Sequence, residues 1–178
     1  MNDDNFAQHK LVYVPHPALD TPSAPFEFDD VEYRKALGKH MIELMHNHRG
    51  VGLAANQINL NAACFAMLLG ADDVFMINPQ VHEVSNTKVL MSEGCLSDPG
   101  MFLKVKRPDA IRASWENEEG ERHHLELEGL DARVFLHEFD HLQGILFTDR
   151  VGGTKLKMAR KKQQGELIRH LGALSRTH

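Results

Sequence analysis

His137-Glu138-Phe139-Asp140-His141 carries two histidines four residues apart. On a helix this spacing sends both imidazoles to one face, about one turn apart, so that they can reach a single metal ion. Glu138 stands beside the first histidine, where a carboxylate can contact a water molecule on that ion. The stretch is therefore an H-E-x-x-H motif. Its alternative is a pair of core histidines with ordinary protein partners, or a chance match to a short pattern.

The residues around this motif predict a buried helix. Asp131 is a candidate N-cap, and Gly144 lies just after a plausible C-terminus. Apolar residues between them occupy several faces, which indicates a helix in the middle of the domain. Two histidines and two acids would be costly to bury there without partners, and a metal ion removes most of that cost.

The composition is that of an ordinary globular protein in a reducing compartment. The chain has 178 residues, of which 42% are hydrophobic and 25% charged, so a single domain without disulfide staples is expected. Cys64 and Cys95 are its only cysteines, which is no disulfide framework. No signal-peptide pattern and no apolar run of about 18 residues is found, so a cytoplasmic protein without a membrane partner is expected.

The charge is distributed unevenly along the chain. Residues 154–178 contain seven Lys/Arg and one Glu, which gives a charge of +6. Since the net charge of the whole chain is −5, the other 153 residues carry −11. A basic tail on an acidic body suggests an anionic partner, and a solvated surface helix is the alternative. The predicted organisation is a single catalytic domain over residues 1–153 and a basic C-terminal tail over residues 154–178 that can form a helix.

Periodicity, Pro and Gly predict the remaining elements. Residues 1–28 are expected to be irregular, and a helix over residues 30–48 follows, capped by Asp29 or Asp30 and ended by Gly50. A hairpin with its turn at residues 118–120 precedes the central helix. The predicted strands cover residues 63–69, 74–77, 81–84, 88–91, 110–117 and 121–128.

The predicted fold class is α+β. Pro and Gly recur between the strands, which favours antiparallel sheets broken into short pieces. These sheets are expected to wrap around a central metal-binding helix over residues 131–143. The helix over residues 30–48 is expected to pack outside them as an outer N-terminal helix.

Two further stretches are candidates for the site. In Glu93-Gly94-Cys95-Leu96-Ser97, the cysteine can be a buried thiol, a nucleophile with a nearby base, or a metal ligand. As a ligand it would join the two histidines and leave a fourth position open, which is typical of catalytic sites. Residues 50–57 are glycine-rich, a weaker signal, since small residues admit a ligand but also form turns.

Together, three motifs in this order resemble the peptide deformylase family: Gly50-Val51-Gly52-Leu53-Ala54-Ala55-Asn56-Gln57, Glu93-Gly94-Cys95-Leu96-Ser97 and His137-Glu138-Phe139-Asp140-His141. The resemblance covers about residues 10–150 and includes Arg107-Pro108 and residues 146–150. Asn56, Asp98 and Leu136 depart from the residues that are common in the family. These departures are expected to affect which substrates are preferred, because none of them removes an expected metal ligand or the catalytic acid/base.

The resemblance implies a hydrolase that removes the N-formyl group from the initiator methionine of nascent polypeptides and releases formate. One divalent metal ion is implied, with Fe(II) favoured and Zn(II), Ni(II) or Co(II) also able to occupy the site. Glu138 is implied as the acid/base, and the Gln57 side chain and the Leu96 N–H as donors to the developing charge on the formyl oxygen. The implied metal ligands are Cys95, His137 and His141.

The same resemblance assigns residues to the substrate and to the surroundings of the metal ion. Asp140 is expected to pair with Arg107 and to brace the loop that carries Cys95. The substrate backbone is expected to add as a strand along residues 50–52. The implied substrate-binding residues are Gly50, Val51 and Gly52 for the backbone, and Met91, Leu130 and Val134, with Glu93 at the edge, for the methionine side chain.

The expected partners follow from the substrate and from the tail. N-formylmethionyl peptides are the expected substrates, and no DNA partner is expected. The ribosome and nascent chain are expected to be approached through the basic tail, since Lys/Arg contacts to phosphate give salt-sensitive binding. The expected location is a bacterial-type cytoplasm, and an organellar or phage origin is also compatible.

Two other functions use the same motif. A zinc metallopeptidase would take its third ligand from a Glu further along the chain, and Glu166 lies twenty-five residues after His141. The polar residues 161–165 argue against a second buried helix at that position. The other alternative is a non-catalytic metal-binding module on the same fold, which turnover would exclude.

Overall fold

The computed structural model of the chain describes residue 6 and residues 8–174, with side chains described as far as residue 169. Three helices are α1 (Val31–Asn47), α2 (Gly129–Leu142) and α3 (Gly153–Leu174). The strands are β1 (Gly52–Ala54), β2 (Cys64–Leu69), β3 (Asp72–Val84), β4 (Lys88–Cys95), β5 (Asp98–Pro108), β6 (Ala110–Glu116) and β7 (Arg122–Glu128). Short 3₁₀ helices cover Pro17–Asp20, Ala55–Ile58 and Phe147–Arg150.

The strands form two separate antiparallel units. Five of them make one sheet in the order β1-β2-β3-β6-β7, and β4 and β5 pair with each other as a two-stranded ribbon. Helix α2 contacts β1 and β2 of the large sheet and β5 of the ribbon, so it lies between the two units. The predicted α+β fold with a central helix is confirmed.

Apolar side chains point to both faces of the sheet along β2, which explains why the large sheet has a helix on each face. Cys64 and Ala66 pack in one apolar cluster with Met41 of α1. Successive strand residues point to opposite faces, so Phe65 turns to the other cluster, where it meets Phe135 of α2 edge-on at a centroid distance of 5.2 Å. The outer position of α1 is therefore as predicted.

The helix boundaries agree with the sequence except in two details. Asp30 caps α1 by accepting from the backbone N–H of Glu32 and Tyr33, but the helix ends before Gly50, with Arg49 in the left-handed region at φ 58°. Helix α2 begins at Gly129, so the prediction of Asp131 as N-cap was wrong. That carboxylate lies in the first turn, where the helix dipole favours it.

Two strand predictions needed correction. Strand β3 does not end at Asn78-Pro79 but continues through them, and its pairing with β6 shifts register between Ile77 and Gln80. Strand β5 was not predicted at all, although Met101, Leu103 and Val105 alternate with Lys104 and Lys106 along it. The Pro99-Gly100 pair at its beginning is typical of a turn and hid this alternation.

The tail contains the helix that its sequence allowed. Helix α3 runs through Gly165, and Leu156 and Ala159 pack against a small apolar cluster of Met101, Leu103, Val105 and Phe147. The helix thus rests on β5, and the division into a domain of 1–153 and a tail stays a prediction. Within the described residues, every helix is too short or too polar to cross a membrane.

Candidate active site

The predicted ligands converge where α2 meets the end of β4. The imidazoles of His137 and His141 lie on one face of α2 with ring centroids 5.1 Å apart. Cys95 approaches from the ribbon and places its Sγ 3.2 Å from His141 Nε2. One donor atom from each of the three residues lies within 4.8 Å of the others. In the described part of the chain, this is the one such group of three.

The turn after β4 is held in place by Gln57. Its side-chain N–H donates to Cys95 Sγ at 3.4 Å and to Ser97 Oγ at 3.1 Å. Its Oε1 accepts from the backbone N–H of Ala54 at 2.8 Å, which fixes the orientation of the carboxamide. Gln57 therefore presents N–H groups toward Cys95, and its predicted role as a donor to the formyl oxygen stays a prediction.

The donor set fits a divalent cation. Burial and the charges of His137 and Arg107 hold the pKa of His141 well below its usual value, so its imidazole is neutral and can coordinate. Burial opposes a charge on His137, but hydrogen bonds to Cys95 and Glu93 and the charge of Glu138 raise its pKa to about 10. These surroundings favour a positive charge, and a metal ion competes with the proton for the same ring nitrogen.

Glu93 orients His137 through a buried hydrogen bond. The Nδ1–H of His137 donates to Glu93 Oε2 at 3.0 Å, which leaves Nε2 for the ion. Arg107 and Arg133 donate to the same carboxylate, at 2.7 Å for each of the two contacts with Oε1. Although burial opposes it, these hydrogen bonds from His137 and the two arginines hold the pKa of Glu93 far below its usual value.

This role of Glu93 was not predicted. Its carboxylate lines the cavity but is occupied by Arg107, Arg133 and His137, so the assignment of Glu93 to the edge of a methionine pocket is incomplete. One signal was available in the sequence. A spacing of four residues places Arg133, His137 and His141 on one face of the helix. Because that face is buried, the charge of the arginine needs an acidic partner.

Asp140 connects α2 to the ribbon. Arg107 Nη1 donates to Asp140 Oδ2 at 2.6 Å, the pair that the sequence predicted. Arg150, which the sequence did not indicate, donates to the same Oδ2 from its Nε at 2.9 Å. The side chains of Arg107 and Asp140 are buried, so their charges need partners. Asp140 and Glu93 compensate the charge of Arg107, whereas Arg107 and Arg150 compensate that of Asp140.

Glu138 is buried beside the ligands and faces the cavity. Its Oε2 has no hydrogen-bond partner among the described residues. Burial raises the pKa of Glu138 to about 7, against the opposing charge of His137. A Cβ on Gly52 would lie 2.3 Å from Glu138 Oε1, so the glycine makes room for this carboxylate. A carboxyl group with such a pKa can both accept and return a proton near neutral pH.

A cavity of about 640 Å³ opens onto Glu138 and onto two of the predicted ligands, Cys95 and His137. Four exposed large hydrophobic side chains line it: Tyr13, Val51, Phe102 and Leu130. Phe102 was not predicted, because its strand was not. The predicted residues that line the cavity are Gly50, Val51, Gly52, Gln57, Glu93, Cys95, Leu96, Leu130, Val134, His137 and Glu138.

Met91 is the one predicted substrate-binding residue that does not line this cavity. It lies two residues before Glu93 on β4 and pairs with Val105 of β5. At this level of the ribbon, Arg133 donates to the carbonyl of Val105 at 2.9 Å. Arg133 itself lines the cavity, whereas the role of Met91 in substrate binding stays a prediction.

Comparisons with known proteins agree with this geometry. The model of a family described as polypeptide deformylase matches residues 8–157. Peptide deformylase of Thermotoga maritima is 40% identical over 146 residues, which cover 82% of this chain and 88% of that protein. Its crystal structure matches with a TM-score of 0.78 over 81% of this chain and 97% of that one. The structure of a peptide deformylase from Synechococcus elongatus in complex with actinonin is 34% identical in sequence. It matches with a TM-score of 0.81 over 87% of this chain and 85% of that one.

The buried pair between Arg107 and Asp140 generates a prediction. Asp140→Asn keeps the shape but removes the charge, so Arg107 loses a partner and its hold on Glu93 loosens. We expect the free energy of unfolding to fall by about 2 kcal/mol and the purified protein to retain less metal. Urea denaturation and metal analysis measure the two effects.

Arg112→Ala is the matched control, because it removes an exposed ion pair with Glu83. It is expected to cost less than about 1 kcal/mol and to leave metal content unchanged. If Asp140→Asn behaves like this control, Asp140 does not brace the site.

Proposed function

The chain belongs to the peptide deformylase family, and we propose that it removes the N-formyl group from the initiator methionine of nascent polypeptides and releases formate. The observation that carries the proposal is the convergence of a Cys-His-His ligand set, an unpartnered buried carboxylate and a carboxamide at one end of a cavity. As a deformylase, the chain is a metal-dependent hydrolase.

The proposed metal ligands are Cys95, His137 and His141. A divalent ion held by them would lower the pKa of a water molecule and supply hydroxide at neutral pH. One thiolate and two imidazoles suit Fe(II), Zn(II), Ni(II) and Co(II) alike. We propose Fe(II) as the native ion, since the family resemblance favours it.

Glu138 is the proposed general acid/base. Its unpartnered Oε2 is free to accept the proton of the attacking water, and its pKa of about 7 permits the return of that proton to the leaving amine. Gly52 leaves no side chain between this carboxylate and the cavity. The same group therefore serves both halves of the reaction.

Gln57 and Leu96 are the proposed donors to the negative charge that develops on the formyl oxygen. The Gln57 side-chain N–H already points toward Cys95, and Leu96 follows this ligand in the chain. Because Gln57 is anchored to Ala54 and Ser97, the carboxamide needs little reorganisation during the reaction. The loss of one such donor typically raises the barrier by about 2.7–4 kcal/mol.

The position of β1 supports binding of the substrate as an added strand. This strand is at the edge of the large sheet, where Gly52 pairs with Met67 on one side only. Residues 50–52 also line the cavity, so a peptide in an extended conformation can pair with their free edge. Leu130 and Val134 then offer an apolar wall to the methionine side chain.

The two alternatives have less support. Glu166 lies on an exposed part of α3, where it pairs with Lys162 at 3.8 Å, so it does not act as a third ligand for a metallopeptidase. A purely structural metal module would have no need of a partnerless Glu138 facing a cavity. Both alternatives still make predictions that differ from the one proposed.

The tail is the proposed contact with the ribosome. Lys155, Lys157, Lys161 and Lys162 are exposed on α3, while Leu156 and Ala159 face β5. The outward side of the helix is thus a row of cations, which suits a phosphate-rich partner. We also propose a cytoplasmic location, and a division of the chain into a catalytic domain over residues 1–153 and a tail over residues 154–178.

The reaction is tested by measuring formate release from a formyl-Met peptide with anaerobically purified, iron-loaded protein. Glu138→Ala is expected to lower kcat by about 10²–10⁴-fold, because the water loses its proton acceptor. The variant should keep its metal, since Glu138 is not a ligand. Absence of formate release from metal-loaded parent protein would contradict the proposed function.

A second comparison separates the deformylase from the metallopeptidase. Cys95→Ala is expected to lose the metal and all turnover, whereas Glu166→Ala should retain both. Metal analysis and formate release are measured on the two variants side by side. Retention of metal by Cys95→Ala together with loss of it by Glu166→Ala would support the metallopeptidase instead.

Ribosome binding is tested by reversing two charges on the outward side of α3. Lys157→Glu/Lys161→Glu is expected to weaken binding to ribosomes at least about tenfold and to reduce its salt dependence. Lys35→Glu/Lys39→Glu on α1 is the control, with the same change in net charge at another surface. Equal binding by the two variants would contradict docking through the tail, and both should deformylate free peptides normally.

A further inference from the structure

Asp98 is a buried acid at the beginning of β5, three residues after the ligand Cys95, and its side chain is 5% exposed. Its Oδ1 accepts from Arg160 Nη1 at 2.7 Å and from Gln163 Nε2 at 3.0 Å. Its Oδ2 is buried without a partner among the described residues. Both donors belong to α3, so the tail helix compensates this charge.

The turn between Cys95 and Asp98 is fixed from two sides. These two residues face each other across the ribbon, so only Leu96 and Ser97 connect β4 to β5. On one side, Gln57 holds Ser97 Oγ, and the backbone N–H of Val14 donates to the carbonyl of Ser97 at 2.9 Å. On the other side, α3 holds Asp98.

Apolar packing reinforces this second contact. Leu156 and Ala159 pack against the small cluster that Cys95 also touches. Gln163 donates in addition to the carbonyl of Pro99 at 2.8 Å. Leu156, Ala159, Arg160 and Gln163 recur at helical spacing and form the inner side of α3. This inner side covers the turn that carries the ligand.

We propose that Arg160 and Gln163 are positioning residues for the active site. By compensating the buried Asp98, they fix the turn that presents the thiolate of Cys95 and the N–H of Leu96. A buried carboxylate that loses its cationic partner is unstable where it lies and draws its backbone toward water. Because Asp98 begins the strand that pairs with Cys95, this movement displaces the ligand.

The consequence for catalysis rests on the proposed deformylase function, whereas the consequence for metal binding does not. A displaced thiolate weakens coordination whatever the reaction is. A displacement of about 1 Å at a reacting centre can also cost about 10²-fold in rate. Co(II) is therefore a suitable probe, since thiolate ligation gives it a charge-transfer absorption band that can be titrated.

The test uses Arg160→Ala in the full chain. We expect about tenfold weaker Co(II) binding, at the lower end of the effect of losing an outer partner of a metal ligand. We also expect a weaker thiolate-to-cobalt band and a lower kcat for the formyl-Met peptide with little change in KM. Arg169→Ala is the matched control, because that exposed arginine donates to Gly165 of its own helix.

A double variant separates positioning from loss of fold. Asp98→Leu/Arg160→Ala removes both charges, and an apolar replacement of a buried ion pair is often neutral or stabilising. We expect it to regain most of the Co(II) affinity, the absorption band and kcat. Its recovery would show that the uncompensated carboxylate, not the missing arginine, displaces the turn.

The opposite results would overturn the inference. If Arg160→Ala lowers the unfolding midpoint but keeps the Co(II) affinity, the absorption band and kcat of the parent, the ion pair only anchors α3. If the double variant is as impaired as Arg160→Ala, Asp98 is not the intermediary. If the parent binds Co(II) but does not release formate, the proposed function fails, and the Co(II) affinities and spectra of the variants still decide the positioning role.

Discussion

The buried carboxylate of Glu93 joins the two halves of this structure. It lies on β4 and accepts hydrogen bonds from Arg133 and His137 of α2 and from Arg107 of β5. A charge in this position would be costly to bury alone, and two arginines compensate it. Arg107 is compensated in turn by Asp140. The ribbon, the central helix and the orientation of His137 therefore depend on one chain of alternating charges.

Each element brings to the site what its own geometry can supply. The period of an α-helix places His137 and His141 on one face of α2 and leaves Glu138 next to them. A tight turn in the ribbon delivers Cys95 from outside this helix. The 3₁₀ helix of residues 55–58 carries Gln57, which links the edge of the large sheet to that turn. The site thus exists only where the sheet, the ribbon and the helix meet.

Local periodicity predicted the elements, whereas contacts between distant segments were either implied by the family resemblance, as for Arg107 with Asp140, or missed. The two histidines, the hairpin of β6 and β7 and the helix around residues 31–47 follow from spacing alone. The partners of Glu93 lie 14, 40 and 44 residues away, and no local pattern identifies them. Met91 does not line the cavity, and its part in substrate binding stays a prediction. Arg133, which belongs to α2, lines the cavity although the sequence did not indicate it.

Two acids beside the same histidine show how the fold divides their roles. Glu93 and Glu138 are both buried, and burial by itself raises the pKa of each. Arg107, Arg133 and His137 all donate to Glu93, so its pKa falls and it stays ionised, fixing geometry. Glu138 faces a cavity with one oxygen unpartnered within the described chain, so its pKa stays near 7 and its proton can move. Two carboxyl groups with similar burial therefore differ in pKa, because the two arginines and His137 donate to Glu93 and not to Glu138. The first is a permanent anion, and the second is the proposed proton carrier.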